Sequence, residues 1–238
     1  ISMSGFPNRR LIQTLALEDV EKTAPVNLTY LLWRNPENLK TRSILTLGFN
    51  PSDSLLLDDG FSKNADRLKN PGRVLFDKLS RPEFGPIEDW FVSNKKVETE
   101  VAGKRVIVEG LVELGPSFGA DGNLITSRET FLRLFPANPK GSIEIGLVKL
   151  ESGSDPILVS EILNKSLPND VRVLTKDQFI EFEKNYWKNS TAIGFIFSLG
   201  ALMGFVVGCV VVYQILYSDV TDHLPEYATL LAMGYRLK

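Results

Sequence analysis

The sequence predicts an α+β domain, made of ferredoxin-like elements and a β-hairpin subdomain, joined by a helical stalk to one transmembrane helix. Three observations predict it. Charged residues are frequent up to Lys188 and absent from Asn189 to Ser218. The preceding part mixes alternating strand-like runs with capped helical runs. No Pro or Gly occurs from Lys176 to Ala192, so one helix can run from the domain into the span.

Composition narrows the function classes. The 238 residues carry 27 Lys+Arg against 29 Asp+Glu, a formal charge of -2, so no basic field exists to gather nucleic acid. One Cys and one His cannot supply an intrachain disulfide or a Cys/His zinc site.

The elements follow in order. Arg9 to Thr23 suits a helix, broken by Ala24-Pro25. Val26–Trp33 and Thr41–Phe49 read as a hairpin joined across Asn35-Pro36. Ser62 to Lys69 is a short helix, Arg73–Phe76 a short strand and Ser80 to Pro86 a loop. Val97–Val101 and Lys104–Gly110 flank Ala102-Gly103, the strongest hairpin signal, with Val97, Val101, Val106 and Val108 on the dry face. Pro116 to Asn123 is a turn-rich loop. Ser127 is placed to cap a helix through Phe135 that stops at Pro136. Glu144–Leu150 reads as strand. Asp155 and Pro156 suit an N-cap and first helical position, so Ile157–Ser166 is a helix before a strand over Val171–Leu174. That β-helix-β order fits a ferredoxin-like subdomain.

Thr175-Lys-Asp-Gln178 has capping-box spacing and opens the stalk helix. Phe179, Phe182 and Tyr186 share one helical face, which packs either on the domain or on a second stalk helix. The run from Ile193 to Tyr217 would be about 37 Å long as a helix, enough for a ~30 Å hydrocarbon layer. Tyr186, Trp187, Tyr213 and Tyr217 sit near its ends, where amphipathic rings prefer the interface. Gly200, Gly204 and Gly208 repeat every fourth residue and make a stripe on which another helix can pack closely. Beyond the span, Pro225 suits the first turn of a short helix through Met233, with Gly234 as its stop. Tyr227, Leu230 and Leu231 make its apolar face, and Glu226 would lie near its N-terminus. His223 has no second ligand near it.

Catalysis finds little support. There is no phosphate loop and no nucleophile elbow, and Gly119-Ala-Asp-Gly122 lacks the ligands of a calcium loop. Asp58-Asp59 and Glu88-Asp89 read as solvated loops. No catalytic, cofactor-binding or metal-ligating residue is expected in this chain.

Four stretches carry a resemblance: Ser80-Arg-Pro-Glu-Phe-Gly-Pro86, Ser117-Phe-Gly-Ala-Asp-Gly-Asn123, Lys184-Asn-Tyr-Trp-Lys-Asn-Ser-Thr-Ala-Ile-Gly-Phe-Ile-Phe197 and Leu224-Pro-Glu-Tyr-Ala-Thr-Leu-Leu-Ala-Met-Gly-Tyr235. Together they resemble the DevC-type permeases of cyanobacterial DevBCA exporters, in the MacB/FtsX-like permease family. The last stretch, an E-x-x-x-L-x-A-x-G pattern, is general to the family; the others are narrower.

The resemblance implies a periplasmic MacB-like core domain over 1–175, N-terminally incomplete, a periplasmic stalk over 176–190, a transmembrane helix over 191–217 and a truncated cytoplasmic coupling segment over 218–238. It implies that the sequence is a piece of a longer permease of the inner membrane, without its first and later spans. Glu226, Tyr227, Leu230, Leu231, Met233 and Gly234 would then meet a separate, DevA-like ABC ATPase that holds the ATP and Mg. The other implied partners are a DevB-like periplasmic adaptor, a TolC-like outer-membrane channel and a second copy of the permease, and the cargo is glycolipid-like or another envelope substrate. Charge bias alone, with Lys184 and Lys188 before the span and Asp219, Asp222 and Glu226 after it, favours the reverse orientation, so the topology rests on the resemblance. The reading from a different class is a membrane-anchored binding or scaffold domain without ATP coupling.

Overall fold

The computed structural model describes residues 5–53, 64–117, 119–139, 141–189 and 192–234. It divides into two compact units, Ile1–Val173 and Leu174–Lys238. In chain order the strands are β1 (Phe6–Pro7), β2 (Val20–Arg34), β3 (Thr41–Phe49), β4 (Arg73–Asp77), β5 (Val97–Val101), β6 (Lys104–Val112), β7 (Asn123–Ser127), β8 (Ser142–Ile143) and β9 (Ile145–Leu150). The helices are α1 (Arg9–Gln13), α2 (Ile87–Val92), α3 (Arg128–Leu134), α4 (Pro156–Ser166), α5 (Lys176–Asn189) and α6 (Ala192–Ala232). Of the helix expected over Ser62–Lys69, residues 62 and 63 lie outside the described residues, and Asp66–Lys69 is a 3-10 turn.

One long strand organises the first unit. β2 is antiparallel to β9 in its first half and to β3 in its second, and Val26 faces Ile145 on one side and Phe49 on the other. This corrects the helix expected over Arg9–Thr23. The helix ends at Gln13, a 3-10 turn follows at Thr14–Ala16, and Ala24-Pro25 lie inside the strand. Pro25 has no amide to donate, and it stands just before the point where β2 changes partners, so one side of the ladder asks nothing of it.

The seven-stranded sheet has the order β3-β7-β4-β6-β5-β2-β9, and β3 also pairs with β2. The strands other than β9 therefore close into a ring, sealed where Trp33 faces Val101 and the Ala102 amide donates to the Leu32 carbonyl at 2.8 Å. Two of its pairings are parallel, β3 with β7 and β4 with β6. The expected hairpins are both present. At the tighter one, Ala102 (φ 50) and Gly103 (φ 72) supply the left-handed pair that a two-residue turn needs.

Alternation along the strands sets two apolar layers. Leu31, Trp33, Ile44, Val74, Phe76, Phe84, Val101, Val106 and Leu124 are buried together inside the ring. Phe49, Leu75, Val112 and Ile125 form a second layer with Leu68. Phe131 of α3 packs against the ring so closely that a Cβ on Gly48 would lie 2.5 Å from its own. Ser127 caps that helix by accepting from the Thr130 amide at 3.2 Å, as its sequence position predicts. Asp155 caps α4 through the Ile157 amide at 2.8 Å, with Pro156 in the first turn.

Val171–Leu174 is not a strand, contrary to expectation. Its backbone is bonded by a side chain instead: Asn164 takes the Val173 amide at 2.9 Å and donates to the Val173 carbonyl at 2.7 Å. A side-chain amide offers the same donor and acceptor as a neighbouring strand, at one residue only.

The second unit is helical. Thr175 and Gln178 form the expected reciprocal cap at the start of α5, with distances of 3.0 and 3.2 Å. Whether α5 continues into α6 is decided at residues 190 and 191, outside the described residues. α6 contains 41 residues, about 61 Å at helical rise, and it runs through Pro225. The separate helix expected to begin at Pro225 is therefore corrected: it is the end of α6, and Glu226 lies within a helix rather than at its positive end. No Gly or Pro interrupts Ser218 to Leu224, and polar side chains serve the local carbonyls. Thr221 donates to Tyr217 at 2.7 Å and Thr229 to Pro225 at 2.9 Å. Gly234 (φ 88) stops the helix as predicted.

Candidate functional site

In the first unit, two of the motif stretches meet. Ser80–Pro86 bends through a 3-10 turn at Pro82–Phe84, and the Arg81 amide donates to the Asp121 carbonyl at 3.0 Å. The Asn123 amide donates to Ser80 Oγ at 3.3 Å. Gly122 is where the loops touch: a Cβ there would lie 2.6 Å from Ser80 Oγ and 2.7 Å from the Phe84 ring. The Trp33 indole donates to the Phe84 carbonyl at 3.0 Å, and Asn35 donates to the Glu83 carbonyl at 3.0 Å, tying the knot to the β2–β3 hairpin. Phe118 lies outside the described residues.

Charge and burial hold the knot from two sides. Asp121 meets Arg42 at 2.6 Å and Arg81 at 2.9 Å, and Arg42 also reaches Glu83 at 3.5 Å and lies 5.8 Å from the centre of the Phe84 ring. The Arg42 hydrogen bond, with Arg81 nearby, holds the Asp121 carboxyl below its ordinary range. Beneath it, Asp77 is fully buried and accepts from the amides of Leu79, Leu114 and Gly115 and from the Asn123 side chain, at 2.8 to 3.1 Å. Among the described residues this carboxylate has fixed amide dipoles and no counter-ion as its partners. Sequence reading missed Asp77 and Arg42, since a lone Asp at a strand end has no pattern. The two motifs were the available signal.

A cleft of about 480 Å³ lies elsewhere in this unit, lined by Thr23, Pro25, Asp53, Lys69, Arg128 and Glu129 among others. Burial pushes the Asp53 carboxyl up. Both cations in the wall are engaged, Lys69 by Asp66 at 2.6 Å and Arg128 by Asn27 at 3.2 Å. Among the described residues no group of three or more His, Cys, Asp or Glu is placed to hold a metal.

The predicted site residues lie in the second unit, on separate stretches. On α5, Phe179 and Phe182 are nearly half exposed, and the Tyr186 ring meets Trp187 edge-on at 6.0 Å. On α6, a Cβ at Gly200, Gly204 or Gly208 would meet nothing within 4 Å, so the stripe is open. Every described side chain from Phe195 to Gly234 is exposed, including Glu226, Tyr227, Leu230, Leu231 and Met233. Tyr213 and Tyr217 stack at 6.1 Å, and His223 contacts the Asp219 carbonyl at 2.8 Å.

These features define a mixed α/β domain joined to one apolar helix of transmembrane length, whose most apolar stretch has no buried residue among the described residues. No family model and no curated protein sequence matches the chain. Among solved structures, it is similar to the extracellular domain of the noncanonic ABC-type transporter YknZ from Gram-positive bacteria, with a TM-score of 0.49 and 15% identity over 72% of this chain and 90% of that one. It is also similar to the periplasmic region of MacB from Actinobacillus actinomycetemcomitans, with a TM-score of 0.49 and 12% identity over 76% of this chain and 83% of that one.

Proposed function

We propose that this chain is part of the permease subunit of a tripartite ABC exporter, anchored in the inner membrane with the first unit in the periplasm. It has no active site of its own. A separate ATPase, holding ATP and Mg, closes and opens against the Glu226–Gly234 segment, α6 carries that motion across the bilayer, and α5 passes it to the first unit, which works against a periplasmic adaptor and outer-membrane channel. The glycine stripe serves close helix packing, including that of a second permease. The cargo is of the glycolipid-like or envelope class implied by the DevC-type resemblance.

The observation that carries this reading is the run of one helix from a stretch of membrane length directly into the E-x-x-x-L-x-A-x-G motif, with that motif's apolar side chains exposed. Such an exposed apolar helix face is suited to lie in a partner's groove. A Leu231→Asp variant tests it in the full-length protein. Membrane insertion and the folded first unit should persist while ATPase co-purification is lost, because a carboxylate would be desolvated in an apolar groove. Retention of the ATPase by Leu231→Asp removes this segment as the docking site, and a wild-type protein that never retains an ATPase favours the scaffold reading.

A further inference from the structure

The last residues of the first unit are fixed in an unusual way. Val171–Val173 joins no ladder among the described residues, and the Val173 backbone is held through Asn164. The Asn164 amide is fully used, since its nitrogen also donates to the Ser160 carbonyl at 2.8 Å. Close by in sequence, Asp170 takes both of its oxygens to Arg10 Nε, at 3.1 and 3.0 Å, with Arg10 Nη2 at 3.0 Å. Arg10 belongs to α1, whose Leu11 packs on β9 at Gly146, so this tie leads back to the sheet. After Val173, only Leu174 intervenes before Thr175 opens α5 with its reciprocal cap. A stiff helix thus begins at once where the clasped strap ends.

We propose that Asn164, backed by the Arg10–Asp170 pair, is an openable clasp that decides whether movement of the stalk helix α5 reaches the sheet of the first unit. This deepens the transporter reading and rests on it. A strand in a ladder would share load over many backbone bonds and could not let go singly. Here the Val173 backbone is held by one side chain, next to a turn bond from the Val171 amide to the Pro168 carbonyl at 3.4 Å, and the bonds to Val173 are solvent-exposed, so water competes for each of them. The helix that carries it is anchored independently by buried Val159 and Leu163, so the clasp can open while α4 stays in place. Asn164 acts through Val173 and is a positioning residue.

The test uses the full-length protein in nanodiscs, with Cys209→Ser and spin labels at Glu37→Cys and Lys184→Cys. In Asn164→Ala the Val173 amide should exchange hydrogen at least about tenfold faster, the Val159 and Leu163 amides should be unchanged, and the label-to-label distance distribution should broaden. Asn164→Leu, which keeps the side chain's bulk but neither its acceptor nor its donor, should do the same if the alanine variant folds poorly. Unchanged Val173 exchange overturns the proposal. Faster exchange with an unchanged distribution overturns it too, since the strap would then bear no load. ATPase co-purification should survive both variants. A wild-type protein that binds no ATPase would sink the transporter reading and leave the clasp to be judged by exchange and distances.

Discussion

The loop knot of the first unit and the far end of α6 are opposite ways of placing a short motif in space. In the knot, each chain crossing is tied more than once. Asp77 alone collects four donors at 2.8 to 3.1 Å, while Asp121 joins two arginines. At the far end of α6, Tyr227, Leu230, Leu231 and Met233 are all exposed, and the bonds found there among the described residues are local to the helix. The contrast teaches where stability and where responsiveness are stored. The knot is tied within its own unit, whereas the end of α6 is ordered as the continuation of a long helix and leaves its apolar side chains uncovered.

The comparison breaks most visibly at Asp77. Asp77→Ala should cost on the order of 3 kcal/mol or more, because three backbone amides and the Asn123 side chain lose a buried charged acceptor. In a chain this size that is roughly 6–12 °C of melting temperature, read by thermal unfolding of the first unit. A loss under about 1 kcal/mol would mean that the knot is not held from beneath.

Next comes the stalk, where Asn185→Pro removes a backbone donor in the middle of α5 and clashes with the preceding turn, at about 3 kcal/mol in a regular helix. The first unit should melt as before, ATP hydrolysis by the partner should continue and export should fall. Normal export in this variant would refute transmission through a regular stalk.

The smallest effect is electrostatic and belongs to the knot. Because Arg42 lowers the Asp121 pKa, the folded state gains stability above the unfolded carboxylate's value near 3.8, and this gain is lost as pH falls through the lowered folded value. The first unit should therefore lose melting temperature on acidification below about pH 4, and Asp121→Asn should flatten that part of the profile. Since both side chains of the pair are partly exposed, solvent screening keeps the change modest. An identical acid limb in Asp121→Asn would show that the ion pairs are incidental.

What could be read from the sequence was what neighbouring residues decide. The turn at Ala102-Gly103, the caps at Ser127 and Asp155, and the reciprocal Thr175–Gln178 cap each depend on residues within one turn of each other, and all are present. The misreadings depend on distant partners. β7 was not foreseen, because its parallel neighbour β3 lies far away in the chain and nothing local announces the pairing. Pro25 sits harmlessly in β2 because the strand changes partners at Val26, and Val171–Val173 joins no ladder among the described residues, the Val173 backbone being bonded to Asn164. Pro225 reads locally as a helix start, yet the preceding residues contain nothing that would end a helix. The site was legible as motifs and not as geometry: Ser80–Pro86 and Ser117–Asn123 were marked separately, and only the fold shows that they touch.

The central claim is that the free end of α6 faces the ATPase while the tied knot lies on the other side of the membrane. A cysteine at Thr229, in the full-length protein with Cys209→Ser, tests this by cross-linking in intact membranes. The account predicts a cross-link to the ATPase and none to the periplasmic adaptor. A cross-link from Thr229→Cys to the adaptor would reverse the topology and contradict it.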